Sequence, residues 1–148
     1  MAASNPRLEV RRFLSSELTT HGHWLMPRLV AKWPHRNEWG WANFLRALCD
    51  RNDCLFLAQD HSVALAEIVQ TDNLEGYRSV WERFVWCEDR KSEAHQEEAA
   101  NFYNRFQDWA RGLGITKVVV ARNTDVPAAL IKKRIGSIFL EEIKYVNV

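Results

Sequence analysis

Residues 79–114 read SVWERFVWCEDRKSEAHQEEAANFYNRFQDWARGLG, and two different periodicities meet in that stretch. In residues 79–87 the side chains alternate. Val80, Glu82, Phe84 and Trp86 share one face and Trp81, Arg83, Val85 and Cys87 the other, which is the period of a strand. Further on, Ala99, Phe102, Phe106, Trp109, Ala110 and Leu113 recur at the 3.6-residue period of a helix. Ser92 stands where an N-cap is needed, and Gly112 and Gly114 stand where the helix must stop. Residues 88–93, EDRKSE, are the polar connection. A strand feeding a long amphipathic helix calls for a crossover to another strand. Residues 117–121, KVVVA, supply it as a short β-branched run of the kind buried on both faces.

Upstream, residues 54–58 (CLFLA) and 62–69 (SVALAEIV) are apolar runs joined by Gln59, Asp60 and His61, a hairpin pattern. Before them, Asn37 caps a helix whose buried stripe is Trp41, Phe44, Leu45, Leu48 and Cys49. An earlier helix carries Leu18, Leu25, Leu29 and Val30 and ends at Trp33-Pro34, with Pro27 expected to kink or restart it. Residues 8–14 open the chain as a strand. Downstream, residues 126–135 form a short helix stopped by Gly136, and residues 137–146 a final strand. The predicted order is β-α-α-β-β-β-α-β-α-β, a single α/β domain over residues 1–148. Its mixed sheet is expected to carry helices on both faces.

Composition narrows the function. The chain has 148 residues, 47% hydrophobic and 26% charged, and its 20 basic and 19 acidic side chains leave a net charge of +1. No strong field recruits nucleic acid or an anionic membrane. No apolar run approaches the roughly 18 residues that span a bilayer, and the polar start, residues 1–6, carries no targeting pattern. Cys49, Cys54 and Cys87 are odd in number and lack C-x-x-C spacing, which fits a reducing, cytoplasmic setting. His21 and His23, two apart on a helix, point about 200° from one another and do not make a metal pair.

The order of elements, closing in the strand-Asn-helix-Gly-strand unit of residues 118–146, resembles the GCN5-related N-acetyltransferase (GNAT) superfamily over most of the chain. The resemblance implies acetyl-CoA as cofactor and an amine of a protein or small molecule as acceptor. The two helices after the first strand would wall the acceptor site. The strand holding Val85, Trp86 and Cys87 would carry the pantetheine arm, with Asn123 also at the cofactor. The turn and helix after that strand would take the pyrophosphate at backbone N–H groups. Against the family's Gln/Arg-x-x-Gly-x-Gly/Ala loop, the counterpart is residues 94–99, where only Ala99 matches and Glu97 opposes a phosphate. Arg90 and Lys91 supply positive charge beside it.

The resemblance also places a general base at Glu82, partly desolvated on its strand face, with Glu67 as second candidate and a cross-strand ion pair as the alternative for both. Where the family commonly carries an acidic tyrosine stands Lys132, leaving Tyr145 or Tyr103 to act. The degenerate loop, and the ending at residues 135–139, resemble small GNAT-like proteins of tailed bacteriophages. Two functions follow as expectations: an N-acetyltransferase, catalytically weakened, or a non-catalytic protein that binds or inhibits a partner.

Seven tryptophans favour attention to the second. Trp24, Trp33, Trp39 and Trp41 fall in the two-helix region, and Trp33 and Trp39 flank a loop with His35 and Arg36, a composition suited to protein contact. They are alternatively plugs between the helices. The family's closing hairpin partner is not visible after the last strand, so an exposed edge or a homodimer through it is expected.

Overall fold

The computed structural model describes residues 11–12, 15–70, 78–121, 124–135 and 145–146. The elements follow the predicted order: β1 (Arg11–Arg12), α1 (Leu18–Lys32), α2 (Glu38–Cys49), β2 (Cys54–Gln59), β3 (Ser62–Gln70), β4 (Arg78–Cys87), α3 (Glu93–Gly112), β5 (Val118–Ala121), α4 (Ala128–Ile135) and β6 (Tyr145–Val146). They build one sheet in the order β1-β2-β3-β4-β5-β6. The β1–β2, β2–β3 and β3–β4 pairs are antiparallel, and β4–β5 and β5–β6 parallel. Most of the opening strand expected over residues 8–14 and of the closing strand over residues 137–146 lies outside the described residues, and so does the edge invoked for a homodimer.

Local chemistry explains the helices. Asn37 Oδ1 accepts from Gly40 N at 2.8 Å, and the Ser92 side chain accepts from His95 N, so both expected caps are in place. Gly114, at φ +71°, reverses the chain after α3, a conformation glycine adopts without steric cost. Pro27 sits inside α1 on its exposed side, and the helix continues through it to Lys32.

The sheet buries two cores. Phe102, Tyr103, Phe106 and Ala110 of α3 pack with Ile131 of α4 over Leu57, Val80, Val85 and Val118. On the other face Leu25 and Leu29 of α1 and Trp41 and Leu45 of α2 cover Phe56, Leu65, Phe84 and Trp86. Each large side chain removed from water contributes on the order of 2 kcal/mol. Glu98 ties α3 to the β2–β3 turn: it is buried and accepts from His61 N at 2.6 Å and Ser62 Oγ at 2.9 Å. No described helix is long and apolar enough to cross a membrane.

Candidate functional site

The site begins with an irregularity in β4. Leu65 pairs with Phe84 but Ala66 with Glu82, so Arg83 is an extra residue on β4. Such a bulge reverses the alternation of faces beyond it. Val80 and Glu82 before the bulge, and Val85 and Cys87 after it, all face α3, while Phe84 and Trp86 face α1 and α2. This corrects the strict alternation read from the sequence: Glu82 does not share a face with Phe84 and Trp86. Beyond the bulge β4 also leaves its parallel neighbour, because β4 and β5 pair only at Val80↔Val118 and Trp81↔Val119.

Glu82 is enclosed in this opening. It is 2% exposed, and its Oε1 accepts from Tyr103 Oη at 2.5 Å. Tyr103 Oη in turn lies 2.8 Å from Thr124 Oγ1. Burial raises the carboxyl to about 8, opposed by the hydrogen bond from Tyr103. The carboxyl lies beside a tyrosine that is itself fully buried, and Glu82 is also among the residues lining the cavity on the α1/α2 side of the sheet.

At the edge that β4 exposes by splaying, the loop after β5 hydrogen-bonds the strand beside a cavity of about 390 Å³ lined by Arg28, Lys32, Trp86, Arg90 and Asp125. Asp125 N donates to Val85 O at 3.1 Å, and Asp125 Oδ2 accepts from Cys87 N at 3.2 Å. Two bonds from one residue to alternate positions reproduce the pairing of an added strand. Arg28 of α1 holds the aspartate, with Nη1 3.1 Å from Oδ2 and Nη2 donating to Glu88 O at 2.8 Å. Arg90 Nε lies 3.6 Å from the other oxygen. Lys32, its pKa lowered by burial, stands over the rings of Trp33 and Trp86, which stack at 5.8 Å.

The turn into α3 is equally self-contained. Asp89 N donates to His95 Nδ1 at 3.1 Å, Lys91 N to Asp89 Oδ1 at 3.0 Å, Ser92 N to Asp89 O at 3.0 Å, and Gln96 N to Ser92 O at 2.9 Å. Glu88, Asp89, Glu93 and Glu97 are all exposed around it. A pantetheine arm along β4 would have to share Val85 O and Cys87 N with Asp125, and a pyrophosphate would meet these four carboxylates together with the cations Arg28, Lys32, Arg90 and Lys91.

A second opening lies on the α1/α2 side of the sheet, a cavity of about 350 Å³ walled by Trp33, Trp41 and Phe44, with Arg36, Arg51 and Arg83 at its polar side. Glu67 pairs with Arg83 through a short ion pair and lies 3.8 Å from Arg51, so the expected cross-strand pairing holds for Glu67. Burial pushes the neighbouring Cys54 thiol up to about 11, which leaves it inert.

The sequence-derived candidates thus separate. Glu82 meets Tyr103, whereas Tyr145 lies in β6 with its backbone beside Val120. Val85 and Cys87 meet Asp125 and Arg90, while Lys91 is exposed. Asn123 falls outside the described residues, as do residues 136–139 of the ending. Trp33 is half-buried against Trp86, the plugging arrangement, and Trp39 stands 75% exposed. Arg28, Thr124 and Asp125 were missed. An aspartate two residues past an expected strand-end asparagine is ordinary loop composition, and only the splay of β4 gives it a task.

No family model matches the chain, and no curated protein matches it by sequence. Solved structures do. A putative acetyltransferase from Agrobacterium tumefaciens str. C58 superposes with a TM-score of 0.61 at 12% identity, over 87% of this chain and 92% of that one. A transcriptional regulator from Bacillus halodurans C-125 gives 0.66 at 9% identity, over 87% and 91%. An aminoglycoside 6'-N-acetyltransferase from Acinetobacter baumannii gives 0.58 at 15% identity, over 95% of each chain. With the splayed β4–β5 pair and the helices on both faces, these likenesses establish that the chain has the GNAT acetyltransferase fold.

Proposed function

We propose that this protein uses the acetyltransferase fold as a non-catalytic binding scaffold, engaging a protein partner through the aromatic cleft between α2 and the sheet. The observation that carries the reading is Asp125, which hydrogen-bonds Val85 O and Cys87 N where the family's cofactor would lie. Two others support it. The Glu82 carboxyl is 2% exposed and bonded to Tyr103, so although Glu82 is among the residues lining the cleft, little of it is open to an amine. The cleft presents Arg36, Arg51 and Arg83 against the acids Glu67 and the buried Glu82, a balance that disfavours an ammonium. The three free, buried thiols suit a reducing cytoplasm.

Thermal shift or calorimetry with acetyl-CoA tests this. A cofactor bound at 100 times its dissociation constant stabilises a fold by about 2.7 kcal/mol. The scaffold reading expects no shift at millimolar acetyl-CoA, and a micromolar dissociation constant overturns it. One observation favours a second reading, a weakened N-acetyltransferase acting on a protein or small amine: a carboxyl raised to about 8 and bonded to a tyrosine is a proton-transfer pair. Acetyl-CoA binding with turnover lost in Glu82→Gln would establish that alternative.

A further inference from the structure

The walls of the 350 Å³ cavity are tied to one another. Trp41 Nε1 donates to Trp33 O at 3.2 Å, Phe44 stands edge-on to Trp41 at 5.6 Å, and Trp33 stacks on Trp86. Leu48 and Phe84 extend the apolar lining. A volume of this size falls at the small end of ligand pockets, which are mostly apolar with a few placed polar groups. It suits one or two fused rings.

The polar groups of the lining are not equivalent. Arg51 is bonded to Asp53, and Arg51 and Arg83 share Glu67. Glu82, the other acid, is 2% exposed and accepts from Tyr103. Arg36 has no carboxylate within ion-pair distance among the described residues. Its guanidinium carbon lies 4.2 Å from the centroid of Phe44 and 4.8 Å from that of Trp41, and its Nη1 is 3.3 Å from His35 Nε2. Two aromatic faces thus hold the group and exclude water from one side, while most of its N–H donors are left for another acceptor. Arg46, by contrast, is exposed on the opposite face of α2 and takes no part in the cavity.

We propose that this cavity binds a small aromatic carboxylic acid, its ring between Trp33, Trp41 and Phe44 and its carboxylate on the Arg36 guanidinium. Charge and shape argue together. A planar donor fork matches a carboxylate, aromatic walls match a ring, and the arginines disfavour the same ring bearing an ammonium. Once seated, the acid closes the aromatic walls to a partner's side chain and so regulates the scaffold proposed above, although its own binding does not depend on that reading.

Calorimetry with three probes that share one bicyclic ring tests this: 2-naphthylacetate, 2-(2-naphthyl)ethanol and 2-(2-naphthyl)ethylamine. Each is titrated into the intact protein, Arg36→Gln, Arg36→Lys and Arg46→Gln, the last removing the same charge from the outer face of α2. The acid is expected to bind with a dissociation constant of about 1 mM or below and about tenfold more tightly than the alcohol or the amine. It should shift the indole N–H resonance of Trp41 and weaken as salt rises. Arg36→Gln weakens it about tenfold or more, Arg36→Lys less, and Arg46→Gln leaves it unchanged. Thermal melts confirm that each variant is folded, and the three-probe comparison on wild type needs no variant. No binding at about ten times that concentration, alcohol or amine bound as tightly, unchanged affinity in Arg36→Gln, or an equal loss in Arg46→Gln each overturns the proposal. Since acetyl-CoA is titrated separately, failure here with no acetyl-CoA binding removes only the acid, whereas acetyl-CoA binding removes the scaffold reading itself.

Discussion

Replacing Glu82 with glutamine isolates the energetic consequence of a carboxyl buried beside Tyr103 of α3. Burial raises it from an ordinary value of 4.5 to about 8. Between those values the native chain holds one proton more than the unfolded chain, so stability falls as pH rises, by about 1.4 kcal/mol per pH unit. The contribution is fully present below the unfolded value and gone once the pH passes through the folded one. Across the window the loss is on the order of 5 kcal/mol, comparable with the whole stability of a marginal domain. Glutamine keeps the shape and the acceptor for Tyr103 Oη but has no proton to lose. Urea unfolding followed by tryptophan fluorescence should therefore show Glu82→Gln and wild type close together at about pH 5, diverging to several kcal/mol in favour of the variant above about pH 8. A difference that stays flat across that window would refute the reasoning, because it would mean that Glu82 titrates as a solvated carboxyl.

The neighbours of Glu82 give two further tests. Tyr103→Phe removes the hydrogen bond that opposes the rise, so it should cost about 1–2 kcal/mol at low pH and move the pH-dependent loss upward, both readable in the same unfolding series. Asp125→Ala leaves Cys87 N without its acceptor and the half-buried Arg28 without its carboxylate, with only Glu88 O still accepting from it. It should destabilise by about 2–3 kcal/mol and speed amide exchange at Cys87, and unchanged stability with unchanged exchange would count against that pairing.

Much of this was legible because it is periodic. The stripe of α3 and the hairpin of β2 and β3 follow from apolar spacing, and Asn37 and Ser92 cap their helices because a side-chain acceptor was available at the right position. For Glu82 the sequence left partial desolvation and a cross-strand ion pair both open, and it put the residue on the wrong face. A bulge adds one residue without leaving a mark in composition, and Arg83 resembles any exposed strand arginine. Nor was Tyr103 separable from Tyr145 in the sequence: both are single tyrosines in amphipathic segments, and it is the packing of α3 on β4 that brings Tyr103 to the carboxyl. The role of Asp125 was hidden for the same reason, since it depends on contact with residues about forty positions away.

The two-rung junction between β4 and β5 carries an evolutionary implication. Two parallel strands that part after Val80 and Trp81 leave backbone donors and acceptors that no neighbouring strand can satisfy. Any descendant of this architecture must supply a surrogate, whether a bound molecule or a piece of its own chain. A lineage that abandons its ligand is thus under pressure to acquire a polar loop at the same spot. Thr124 and Asp125 have the character of such a replacement, which makes the residues just after β5 the place to compare among proteins of this shape.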